Sequence, residues 1–258
     1  MKYHVWIAKF SGLLLATLMS PVVLAAEGIE VVTAEGKVTV EGTVGKSEKQ
    51  VHSKSIVANG NVLATGSNSR AVVRVANDGF VVMGKDSKVE LTASTKEKPG
   101  FFKQISGIVY YAINSIKGKQ RAVEVRTATT TIGIRGTRFM VTETDDNKEI
   151  GMRKGEISIT NEAGGDFEIH QQGVKDEFEA YKQEGMAAME QNRKEFEAYK
   201  DQTQKEFVEF KKAFSLSADR MATFDGNRVV EKPLSEDSKK NMESFEDYAE
   251  TWLRKVHD

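Results

Sequence analysis

The run from Val123 to Thr142 limits what this chain can fold into more than any other stretch. Val123–Thr127 and Phe139–Thr142 alternate apolar and polar side chains, the period of a half-buried strand and not of a helix. Between them lies Ile132-Gly133-Ile134-Arg135-Gly136-Thr137, whose glycines admit backbone angles closed to residues with a Cβ. The expected geometry is strand, kink, strand, with Ile132, Ile134, Phe139 and Val141 supplying core. Arg135 is expected either to bond loop carbonyls or to contact a ligand.

The same punctuation runs through the upstream half. Ile29–Thr33 and Val38–Glu41 flank Ala34-Glu35-Gly36, and Asn61–Ala64, Ala71–Ala76, Phe80–Met83 and Lys88–Thr92 follow. Asn77-Asp78-Gly79 is a hairpin signal, because such residues accept the positive φ angles of tight turns. Short strands separated by close-set turns predict a sandwich, barrel or β-roll and exclude βαβ units.

Several of these lines resemble the FecR periplasmic domain in order. They are Asn59–Gly66, Ser69–Val73 with Asn77–Phe80, Val82–Val89, Gly107–Tyr110, the Val125–Val141 line with its Arg-Gly-Thr-x-Phe core, and Lys154–Ile159. Ala128 stands where that family usually has proline. The resemblance implies a mainly β domain, a short-strand β-roll, solenoid-like or sandwich fold, in the bacterial envelope. It marks Gly133, Arg135, Gly136, Thr137 and Phe139 as candidate motif or partner-contact residues. Well-known members carry a cytoplasmic sigma-factor regulator and then a membrane helix. Here nine residues precede the first apolar run, so no such regulator is expected.

That apolar run belongs to the address and not to the fold. Lys2 and Lys9 precede Phe10–Val23, and Val23-Leu24-Ala25-Ala26 offers small residues for cleavage. Residues 1–26 therefore read as a signal peptide, with an uncleaved anchor as the alternative. After its removal no transmembrane anchor is expected, and the location is periplasmic or secreted. The chain has no cysteine, so disulfides and thiolate chemistry are excluded. A net charge of −1 over 258 residues argues against nucleic acid as partner. Lys103, Lys117, Lys119, Arg121, Arg126, Arg135 and Arg138 form a locally basic stretch. On one face they would suit an anionic partner; otherwise they are solvated strand faces and loops.

Composition changes at Val174. Glu177-Phe-Glu-Ala-Tyr-Lys182 recurs unchanged at Glu195–Lys200, and a near-copy stands at Glu206–Lys211. Those steps are close to whole helical turns. Residues 174–213 are accordingly expected to form a long amphipathic helix, a mainly α extension to the β-domain of residues 27–173. Phe178, Tyr181, Phe196, Tyr199, Phe207 and Phe210 would share its stripe and pack either within the chain or between copies as a homo-oligomer. Residues 214–232 return to β character and are expected to rejoin the β-domain. Residues 233–258 read as a final helix capped by Ser235, with Met242, Phe245, Ala249, Trp252, Leu253 and Val256 inward.

No cofactor, metal or catalytic residue is expected. The four histidines have no metal-ligand spacing, no Gly-x-Ser-x-Gly elbow occurs, and the Gly133–Thr137 segment lacks the Gly-Lys-Ser/Thr ending of a phosphate loop. The expected function is a non-catalytic periplasmic interaction or signalling module, holding an envelope protein or polymer. The alternative is a surface-associated scaffold self-assembling through its helical region.

Overall fold

The computed structural model describes residues 28–42, 48–75, 79–92, 100–114, 123–134, 136–171 and 208–254. The strands in the first half are β1 (Gly28–Glu35), β2 (Val38–Glu41), β3 (Glu48–Gln50), β4 (Ser55–Ala58), β5 (Asn61–Thr65), β6 (Arg70–Val75), β7 (Gly79–Met83), β8 (Lys88–Thr92) and β9 (Phe101–Ile113). Then come β10 (Val123–Arg126), β11 (Thr130–Ile134), β12 (Thr137–Glu143), β13 (Lys148–Lys154), β14 (Glu156–Asn161) and β15 (Phe167–Gln171). After residue 207 follow β16 (Val208–Lys211), β17 (Ala213–Ser217), β18 (Arg220–Asp225), β19 (Arg228–Pro233) and the helix α1 (Glu236–Arg254).

Pairing sorts these strands into two sheets. The first runs β4–β1–β6–β7–β9–β12–β13–β18–β19–β15–β16. The second runs β3–β2–β5–β8–β9–β10–β11–β14–β17. Their inner faces meet in one apolar core. Val31, Val81, Tyr111, Phe139 and Ile150 enter it from the first sheet, and Leu63, Leu91, Val125, Ile132 and Ile159 from the second. The alternation read from the sequence decides which side of each strand is inside.

Strand β9 belongs to both sheets. Its first half pairs with β8 and β10, and its second half with β7 and β12. The bend between the halves is at Gly107, with φ +93°, where a Cβ would stand 2.4 Å from Ser87 Cα. Two later crossings lean on each other. Gly136 (φ +68°) leads from β11 to β12, and Gly155 (φ +85°) leads from β13 to β14. A Cβ on Gly155 would meet Thr137 Cγ2 at 2.9 Å and the Gly136 carbonyl at 3.0 Å.

Helix α1 lies on the outer face of the first sheet. The Ser235 hydroxyl accepts from the Ser238 amide at 3.2 Å and caps its start, as the sequence predicts. Met242, Phe245 and Ala249 cover Val72, Val82, Tyr110, Ala112 and Met140. Gly84 and Gly151 let the helix approach closely: added Cβ atoms there would stand 2.9 Å from Phe245 and 2.6 Å from Met242.

Several expectations need correction. The long helix of residues 174–213 fails at its end, where Val208–Lys211 and Ala213 are strand residues. Phe210 therefore sits on β16, because β15 offers it a hydrogen-bonded partner that a helical stripe would forgo. The rest of that expectation, with Phe178, Tyr181, Phe196, Tyr199 and Phe207, lies outside the described residues, as does the signal peptide. Gly133 makes no kink. It is an ordinary member of β11, and among the described residues of this line only Gly136 has a positive φ. Residues 213–233 pair with β13, β14 and β15, the return to the β-domain expected of 214–232.

Candidate functional site

The Gly133–Phe139 line divides between the two sheets. Gly133 is on the outer face of the second, opposite Ser158. Arg135 lies outside the described residues. Gly136 turns the chain, Thr137 is buried beside Gly155, and Phe139 is fully buried, stacked on Tyr111 at 5.1 Å between centroids. Thr137 and Phe139 therefore serve the interior and cannot touch a partner. Among the described members, Gly133 lies half-buried on an outer sheet face and Gly136 half-buried at the crossing.

The neighbouring Arg138 has a role that reading the motif did not reveal. Its Nη1 donates to Glu246 Oε1 at 3.1 Å, and Arg153 Nε meets Glu246 Oε2 at 2.9 Å. The Tyr110 hydroxyl donates to Glu246 Oε1 at 2.5 Å. Burial and the adjacent carboxylate push the Tyr110 hydroxyl far above the usual phenol range, so it stays protonated and keeps donating. Arg153 also reaches Glu243 Oε1 at 3.2 Å. Three side chains of the sheet thus grip one buried carboxylate of α1. A signal was present: Glu246 follows Met242 by four residues and precedes Ala249 by three, so it stands on the apolar stripe. Around the same helix, the Arg70 guanidinium lies over the Phe245 and Tyr248 rings at 5.7 and 5.4 Å.

With the centre of the first sheet's outer face covered by α1, the outer face of the second is the candidate site. Its centre is flat and small: Thr131, Gly133, Ser158, Thr160 and Ser215 lie in register across β11, β14 and β17. Ser158, Thr160 and Ser215 are exposed. Its other end is basic and partly aromatic. Arg126 lies beside Lys103 across the parallel β9–β10 pair. The Arg126 guanidinium lies 4.9 Å above the Phe101 ring and pairs with Glu124 at 2.7 Å. Ile105 is exposed at the β9 bulge.

The basic stretch does not form one face. Lys103 and Arg126 are on the second sheet, Arg138 is on the first beneath α1, and Lys117, Lys119, Arg121 and Arg135 lie outside the described residues. Chemically, the face offers hydroxyls, a lysine and an arginine already balanced by a carboxylate. That suits docking of a polar surface better than concentration of an anion. Among the described residues no group of three or more His, Asp or Glu could hold a metal ion. No described helix is long and apolar enough to cross a membrane.

Two crystal structures of a "putative anti-sigma factor" from Parabacteroides distasonis ATCC 8503, at 1.65 and 2.50 Å resolution, are similar to the chain. Each is 9% identical over 67% of this chain, with a TM-score of 0.43. This chain spans 59% of their length. No curated protein matches it. The family model for FecR protein matches residues 61–158, from the start of β5 to the middle of β14. The FecR match thus covers residues 61–158, and strands before and after them complete the two-sheet body.

Proposed function

We propose that the protein is an exported, non-catalytic FecR-type module that works in the bacterial envelope by holding a protein partner, in a signalling role. The FecR match over residues 61–158 carries this reading, and the signal-like Met1–Ala26 segment supports export. The partner docks on the outer face of the second sheet, where the small residues around Gly133 make a flat surface. Lys103, Phe101 and Ile105 supply its charged and apolar end. A sheet face without large side chains accepts another flat surface with little loss of side-chain entropy.

Site-specific photo-crosslinking in cells tests the reading. A photoreactive residue at Ser158 or Lys103 is expected to capture one envelope protein, while the same residue at Lys240 on α1 captures none. Equal capture at all three positions, or recovery of the protein in the cytoplasmic fraction, would refute it.

A further inference from the structure

Strand β16 is the edge of the first sheet, and it combines features that a solitary edge should avoid. Among the described residues it pairs only with β15. Phe210 is 68% exposed and Val208 38%, two of the few large apolar side chains left in water. They lie on its outer side, since the opposite register positions, Glu209 and Lys211, sit across from the buried Ile169 and Phe167. Glu209 and Lys211 pair with each other along the strand. They line an open cleft of about 400 Å³ with Ile169 and Phe214, where the sandwich is not closed.

Inward charges on an edge strand usually bar other strands. Here their signs alternate, and that makes an exception for one partner. We propose that β16 is a self-pairing edge: two copies of this chain join antiparallel, centred on Phe210, continuing the first sheet across a two-fold axis. In that register each Glu209 faces the partner's Lys211 and each Lys211 the partner's Glu209, while the two Phe210 rings meet on the outer face. A two-fold interface must be self-complementary, residue i against j and j against i, and the sequence Glu209-Phe210-Lys211 meets that condition. Shifting the pairing by two residues breaks both charge pairs, so the register is selected as well as the partner. Association would occur through the β-body and does not depend on a helical stripe.

The test is sedimentation equilibrium of the full mature chain. The parent is expected to be a concentration-dependent dimer. Glu209→Lys and Lys211→Glu, taken singly, place like charges opposite each other twice and are expected to weaken it at least about tenfold. An equimolar mixture of the two variants is expected to regain parent-like association, which no pairing within one chain could produce. The absence of cysteine allows a second measurement: Phe210→Cys is expected to form a covalent dimer on mild oxidation, and Ile56→Cys on the far edge is not. A parent monomeric at every concentration would overturn the proposal. So would dimers indifferent to both charge changes, a mixture no stronger than its components, or equal crosslinking at positions 56 and 210.

Discussion

Replacing Gly107 by alanine strikes the point where one strand serves two sheets. Its φ of +93° is outside the range that L side chains ordinarily adopt, and holding alanine there costs roughly 1–3 kcal/mol. Space is a second obstacle. The new Cβ would stand 2.3 Å from Ser87 Oγ and 2.4 Å from Ser87 Cα, and a backbone atom cannot rotate away. Moving Ser87 disturbs the bond from the Ile108 amide to Ser87 Oγ (3.1 Å) and that from the Ser87 amide to Thr65 Oγ1 (3.0 Å). The second is buried and the first partly so, and each adds about 1 kcal/mol. The sum is roughly 3–5 kcal/mol, a large part of the about 5–15 kcal/mol that separates folded from unfolded domains. Urea unfolding of the mature chain, followed by circular dichroism, measures it, and the thermal midpoint should fall by on the order of 10 °C. Adding Ser87→Gly should recover part of the loss, because it removes Oγ and Cβ but leaves the backbone of residue 87 in the way. A Gly107→Ala protein within about 0.5 kcal/mol of the parent would show that β9 does not turn between sheets as described.

Three further perturbations separate other parts of the account. Glu246→Ala should cost about 2–3 kcal/mol in urea unfolding, since it strands the Tyr110 hydroxyl and two guanidinium groups. Glu246→Gln should cost less, and faster amide exchange confined to α1 would locate the effect. Gly133→Thr should change stability by no more than about 0.5 kcal/mol, because a Cβ there has nothing nearer than Ser158 O at 3.8 Å; a loss as large as at Gly107 would restore the kink to Gly133. Burial raises the Glu149 carboxyl above its ordinary pKa, so its ionised form disfavours the folded state at neutral pH. Glu149→Gln should be more stable than the parent at pH 7. The difference should shrink as pH falls through the raised value and vanish near the unfolded pKa of about 4.3; a gap constant with pH would contradict this.

Many of the strands were legible as short apolar or alternating runs set between turn residues. Phe80–Met83 and Lys88–Thr92 fall within a residue of β7 and β8. Strand β9 was not legible, since Phe101–Ile113 changes sheets midway and its period shifts at the bulge. Thr130–Ile134 merged with its neighbours because Thr127 and Thr130 close the turn with hydroxyls and without a glycine. Phe210 misled because Phe207 and Phe210 fit a helical spacing equally well, and only the β15 edge decides between the periods. In the candidate site, Gly133 is a flat mid-strand position and not the bend that the sequence suggests. Glu246 was visible as an acid on an apolar stripe, but its partners came from strands more than ninety residues away.

Residues 61–158 and the strands after position 207 are expected to behave as one cooperative body, with α1 over the centre of one outer sheet face. Native-state hydrogen exchange tests this directly at the β13–β18 pairing of Ile150 with Ala222. Amides on β12, β13, β18 and β19 should open together, with the free energy of global unfolding. Rapid exchange of residues 213–233 while residues 61–158 stay protected would contradict it.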